Sequence, residues 1–186
     1  MKFLILSGNP KQDGLCKSIE NEITRGAQEG GAEVTSLTFE KFGRCRVCGN
    51  GWGTCRSEQH RCVFGDDGFD DAQAAVLAAD AICILTPVYF GDTAESLKCF
   101  LDRFRRCGFG VPNMLSDKQV LIVASPGGSG NGLISCLDQL DRFCRHTNAT
   151  IFDYIGVNRW NADYKKECAY KAALAIATGR KNGDTV

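Results

Sequence analysis

Five short apolar runs, at residues 2–6, 33–38, 81–86, 120–124 and 150–155, alternate with five segments of helical spacing, at 14–29, 67–79, 94–107, 133–146 and 163–178. This alternation constrains the chain more than any other feature. The runs are near-continuous rather than alternately apolar and polar, as in strands covered on both faces, and strand–helix repetition of this kind builds a doubly wound α/β parallel sheet. At 186 residues and 44% hydrophobic content, the chain is sized for one domain. That domain is expected over 1–178, with a polar, frayed tail at 179–186. No run approaches the roughly 20 apolar residues of a membrane span, and the first run is too short for an export signal. With 22 basic and 22 acidic residues the formal charge is zero, so neither nucleic acid nor an anionic membrane is expected as a partner. A cytoplasmic location is expected.

In an open parallel sheet, ligands bind beyond the carboxyl ends of the strands. Three loops there are rich in glycine, proline or aromatics. The first run leads into Ser7-Gly8-Asn9-Pro10-Lys11-Gln12-Asp13-Gly14-Leu15-Cys16, which opens a helix and aims backbone N–H groups and the helix dipole at one point, as an anion site requires. It matches neither GxGxxG nor a P-loop, which leaves an FMN-type phosphate site as the reading to test. The third run leads into Pro87-Val88-Tyr89-Phe90-Gly91, and the fourth into Ser125-Pro126-Gly127-Gly128-Ser129-Gly130. Glycines let backbone approach a flat ring, and Tyr89 or Phe90 could cover it. The alternative for these two aromatics is a hydrophobic plug at the end of a strand.

Eleven cysteines are present, and reduced thiols are expected. Several, such as Cys83, sit in apolar runs and read as small buried hydrophobes. Cys45, Cys48, Cys55 and Cys62 are different, because they fall in a 39–65 loop too long to be structureless without a function. Four thiolates could bind an iron–sulfur cluster or a zinc ion, with Gly49, Gly51 and Gly53 letting the chain wrap closely. Arg44, Arg46, Arg56 and Arg61 surround them and would favour thiolates. Free or redox-active cysteines are the third reading.

The order Ser7 to Cys16, Cys62-Val63-Phe64-Gly65-Asp66-Asp67, Pro87-Val88-Tyr89-Phe90-Gly91, Leu97-Lys98-Cys99-Phe100-Leu101-Asp102-Arg103 resembles the flavodoxin-like NAD(P)H-dependent FMN reductase family, in its iron–sulfur flavoprotein branch. The resemblance runs from Met1 to about Arg103. It implies a flavodoxin-like sheet of five parallel strands in order 2-1-3-4-5, with the cysteine-rich loop after the second. It also implies that Ser7, Asn9, Lys11, Gly14, Leu15 and Cys16 hold the FMN phosphate. Pro87, Val88, Tyr89, Phe90 and Gly91, with Ser125, Pro126, Gly127, Gly128 and Gly130, would line the isoalloxazine. Leu15-Cys16 stands where the family commonly has Asn-Thr, so the phosphate would lean on backbone N–H groups. The family's cysteine motif resembles Cys-x2-Cys-x2-Cys-x(4 to 7)-Cys, whose third position here is Gly51, with Cys55 four residues later. A [4Fe–4S] cluster would then use Cys45, Cys48, Cys55 and Cys62.

The implied activity is an FMN-dependent oxidoreductase that takes hydride from NAD(P)H and passes electrons to a quinone, a flavin, an azo or nitro compound, or a redox protein. No catalytic acid or base is required, since the flavin carries the chemistry. Alternatives are an FMN electron-transfer protein without NAD(P)H turnover and a zinc-stabilised, non-enzymatic module. A homodimer or homotetramer is expected, with Phe100, Phe104 and Phe109 candidates for its interface or for the core. Lys98 and Asp102, four apart on a helix, are expected to form an exposed ion pair.

Overall fold

A computed structural model describes residues 1–57, 59–128 and 130–181; Ser129 of the third loop and residues 182–186 of the expected tail lie outside the described residues. The long strands are β1 (Lys2–Ser7), β2 (Glu33–Leu37), β3 (Ala81–Tyr89), β5 (Gln119–Pro126) and β6 (Thr150–Gly156). They pair in parallel in the order β2-β1-β3-β5-β6, the flavodoxin-like order expected of five strands. A two-residue strand, β4 (Asp92–Thr93), returns antiparallel onto β3 and was not foreseen.

The helices are α1 (Gly14–Glu29), α2 (Phe69–Ala78), α3 (Glu95–Cys107), α4 (Leu133–Thr147) and α5 (Ala162–Ala177). Alternate residues of the central strands feed two cores. Leu4, Leu6, Ile82, Ile84, Val120 and Ile122 pack toward α2, α3 and α4. Phe3, Ile5, Cys83, Leu85, Leu121 and Val123 pack toward α1 and α5. The expectation of two-sided burial therefore holds for β1, β3 and β5. It fails for β2 and β6, which are the sheet edges and keep exposed positions. Gly26 lets α1 and α5 touch, because a Cβ there would stand 2.2 Å from the Tyr170 carbonyl oxygen. No helix among the described residues is long and apolar enough to cross a membrane.

Phe100 and Phe104 are fully buried, and Phe100 stacks on Phe39 with centroids 4.7 Å apart. They are core residues, which corrects the interface alternative for both. Phe109 is half exposed against Trp52. The Lys98–Asp102 ion pair forms at 2.5 Å on a partly exposed surface.

Candidate functional site

β3 and β5 run past their apolar segments to Tyr89 and Pro126, held by the pairs Pro87 with Ser125 and Val88 with Pro126. This extension carries the second and third loops up beside the first, at the point between β1 and β3 where the strand order reverses. There a cleft of about 450 Å³ opens, lined by Asn9, Lys11, Gly14, Leu15 and Cys16, by Pro87, Val88 and Tyr89, and by Ser125, Pro126, Gly127 and Gly128. Its volume lies within the roughly 300–1,000 Å³ usual for cofactor pockets.

Gly8 packs closely, since a Cβ would sit 3.1 Å from both Leu97 of α3 and the Thr86 hydroxyl, tighter than ordinary contact. Asn9 folds the loop on itself: its amide donates to the Lys11 carbonyl at 2.6 Å and its Oδ1 accepts the Lys11 N–H at 3.2 Å. Asp13 precedes α1 without capping it, and the first turn holds no acidic residue. The leading N–H groups of α1 therefore have no side-chain cap and open beside the cleft, an arrangement suited to an anion. Asp13 itself lines the cleft.

Ser7, Phe90, Gly91 and Gly130 do not line the cleft. Ser7 is buried and donates to Glu20 Oε2 at 2.9 Å, while Ser36 and Lys17 satisfy Oε1. Its hydroxyl is engaged below the loop rather than offered to a ligand. The Cys16 thiol is likewise packed in the core, where burial first and Glu20 second push its pKa up to about 12. Phe90 and Gly91 form the two-residue turn between β3 and β4, with φ of 53° and 83°, so both central positions are left-handed as in a type I′ hairpin. The Phe90 side chain is fully exposed and Tyr89 is half exposed, which rules out a hydrophobic plug.

Arg159 was missed. It follows β6, whose outlet emerges on the same sheet edge, and its guanidinium lies so close over Gly128 that a Cβ there would meet Nη2 at 2.7 Å. With Lys11 it gives the cleft two cations.

On the face of the sheet that carries α3, Cys45, Cys48, Cys55 and Cys62 come together around one small cavity. Cys107, the last residue of α3, joins them; its helical phase with Phe100 and Phe104 was the available signal. Burial, then Cys62 and Cys55, push the Cys107 pKa up to about 12. Of the arginines expected here, only Arg46 lines the cavity, and the other cations come from α3 as Arg103 and Arg106. Arg56 lies over the rings of Trp52 and Phe109, and Arg61 faces Asp70 at 3.8 Å. The loop is tied to α3 as well as to itself, where Thr54 Oγ1 donates to the Arg61 carbonyl at 2.8 Å. Arg103 donates to the carbonyls of Gly43 and Phe64 at 3.0 and 2.8 Å, to both Asp67 oxygens and to Cys62 Sγ at 3.4 Å, and Arg106 donates to Gly51. The His60 ring nitrogen Nδ1 stands 3.1 Å from the Cys107 carbonyl. Among the described residues, no group of three or more His, Cys, Asp or Glu side chains is placed to hold one metal ion.

A parallel sheet in this order, with a glycine-lined cleft at its switch point, defines a protein of the flavodoxin-like class. The chain belongs to the NADPH-dependent FMN reductase family, whose model matches residues 1–162. It is 34% identical over 137 residues to an iron–sulfur flavoprotein of Methanosarcina thermophila, covering 71% of this chain and 66% of that one. It spans just under two thirds of the length of the curated relatives it matches first. Its fold resembles an azoreductase of Bacillus anthracis (TM-score 0.70, 15% identity, 96% of this chain and 99% of that one) and a flavodoxin from Archaea (0.63, 13%, 95% and 96%).

Proposed function

We propose that this chain is an FMN-dependent oxidoreductase that oxidises NAD(P)H and reduces a quinone, a flavin, an azo or nitro compound, or a redox protein. The observation that carries it is the convergence of the three loops and the uncapped start of α1 on one cleft. FMN, when bound, supplies the acceptor for hydride and the source of electrons for the second substrate. The N–H groups opening α1 hold its phosphate, with Lys11 and Arg159 adding positive charge. Gly127 and Gly128 let backbone lie against the ring, Tyr89 stands at its edge, and Phe90, exposed outside the cleft, is available to cover the nicotinamide. Anaerobic mixing of the FMN-loaded protein with NADPH or NADH tests this. Loss of the flavin absorbance is expected, and an unchanged spectrum with either nucleotide would favour the electron-transfer alternative.

The same reading places a [4Fe–4S] cluster on Cys45, Cys48, Cys55 and Cys62. The donor types suit it, because one buried and three partly exposed thiols beside arginines suit an anionic, sulfur-rich group, and a cluster spreads its ligands over four irons instead of converging them on one ion. The space enclosed is about 20 Å³, room for about one water. The cluster therefore requires the glycine-rich 45–53 segment to move outward from α3. Iron and sulfide analysis after anaerobic reconstitution tests the assignment, with Cys55→Ala expected to lose the iron.

A further inference from the structure

The outlet of β6 is a braced turn. The Asn158 N–H donates to Asn161 Oδ1 at 2.8 Å, and the N–H groups of Trp160 and Asn161 donate to Asn158 Oδ1 at 3.0 and 3.2 Å. Asn161 Nδ2 also donates to the Gly156 carbonyl at 3.4 Å. Asparagine side chains that bond to nearby backbone in this way stand in for turn hydrogen bonds and fix the path of the chain. The turn aims Arg159 across the neighbouring outlet. A Cβ at Gly128 would meet Nη2, Cζ and Nε at 2.7, 2.8 and 3.2 Å, so the guanidinium lies against the third loop, and a Cβ at Gly130 would meet the Asn158 amide at 3.2 Å. Among the described residues the guanidinium has no hydrogen-bond or ion-pair partner.

This head is held away from the start of α1. β3 lies between β1 and β5, so the first and third loops leave the sheet about 10 Å apart. A Cβ at Gly14, where α1 opens, would meet nothing within 4 Å, and the charged side chains of that loop beside the cleft are Lys11 and Asp13. The two cations of the cleft therefore belong to different ends of it. Those ends face different chemistry. A phosphate keeps its charge whether the flavin is oxidised or reduced. The isoalloxazine gains negative charge on its pyrimidine half when it takes up two electrons at neutral pH, and that half also carries the carbonyl acceptors. A guanidinium offers donors only, whereas Val88 and Pro126 give the cleft apolar surface for the other half of the ring.

We infer that Arg159 pairs with the pyrimidine half of the ring and binds reduced FMN more tightly than oxidised FMN, so that the turn after β6 raises the reduction potential of the cofactor and Lys11 does not. This rests on the FMN reading above and refines the part Arg159 has in it. Charge placed near the ring nitrogens is a lever by which a protein tunes a flavin. A cation already fixed in place by its backbone stabilises new negative charge without reorganising.

The experiment uses the full chain loaded with FMN. It reads the dissociation constant of oxidised FMN by fluorescence quenching and the midpoint potential of the bound flavin by anaerobic equilibration with a redox dye; together these give the dissociation constant of reduced FMN. Arg159 is exposed, so Arg159→Ala is expected to fold. It is expected to weaken reduced FMN about tenfold more than oxidised FMN, which for a two-electron couple lowers the potential by about 30 mV. Lys11→Ala is the comparison: it is expected to weaken both forms equally and leave the potential at the wild-type value. An unchanged potential in Arg159→Ala overturns the inference and leaves the FMN reading standing. An equal fall in the two variants does the same, since it would show an effect of net charge alone. Wild-type protein that binds no FMN overturns both, and the binding titration by itself identifies that case.

Discussion

Arg103 and Asp67 meet through two hydrogen bonds, Nη1 to Oδ2 at 2.7 Å and Nη2 to Oδ1 at 3.1 Å, although 36 residues separate them. The arginine side chain is 2% exposed and the aspartate 28%. Through this pair the end of the cysteine-rich loop is fixed to α3, since Asp67 also accepts the N–H groups of Gly43 and Phe69.

Arg103→Met is expected to destabilise the fold by about 3 kcal/mol, because it strands the Asp67 carboxylate and two loop carbonyls. Arg103→Lys should recover only part of this, since an ammonium cannot make the forked contact. Urea denaturation of the three proteins checks both statements.

The same pair predicts an acid limb of stability. Burial works against the charged form of Asp67, but hydrogen bonds from Arg103 and the Gly43 amide outweigh it and hold the carboxyl below its ordinary pKa. The unfolded chain therefore takes up the proton first as pH falls. The stabilisation is fully present above about pH 4 and is lost as pH drops through the lower, folded value. Denaturation midpoints from pH 6 to pH 3 should fall more steeply for wild type than for Asp67→Asn, which starts less stable at pH 6.

Phe90 holds a left-handed backbone that bulky residues rarely adopt. Phe90→Asn should raise stability by about 1 kcal/mol by relieving that strain. If the ring covers the nicotinamide, KM for NAD(P)H rises in the same variant. A stabilised protein with unchanged KM would remove Phe90 from the site.

Arg159→Ala should weaken FMN binding about tenfold, equivalent to about 1.4 kcal/mol, and make it less dependent on salt. Fluorescence quenching of free FMN at 50 and 300 mM salt measures both effects.

The thiols divide by burial. Burial foremost pushes Cys16, Cys107, Cys136 and Cys144 up to about 12 and Cys83 well above its ordinary value, whereas Cys168 is exposed. Labelling with a disulfide reagent at pH 8 should modify Cys168 rapidly and reach those five only after unfolding.

The alternation of runs was enough to read a doubly wound parallel sheet and the three loops at its edge, because strand periodicity and loop chemistry are local properties; the strand order followed from the family resemblance. The unforeseen parts come from pairings distant in sequence. β4 returns onto β3 where that strand overruns its apolar segment, and Arg159 reaches the cleft from the outlet of β6, outside the three glycine- and proline-rich loops. Arg103 read as part of a family motif, yet its use is to gather backbone from 43 to 67, a role no spacing within α3 announces. Ser7 and Cys16 were legible as loop residues but not as inward-facing ones, since the buried Glu20 that receives Ser7 lies a full turn along α1.

Leu97 presses on Gly8 beneath the cleft, and Cys107 looks into the thiol cavity. Ten residues of one helix separate them, a rise of about 15 Å. α3 is thus a ruler laid between the two pockets. Any electron that crosses from one to the other meets a gap fixed when the chain folds, and a substitution that slides this helix by a fraction of a turn changes both ends together.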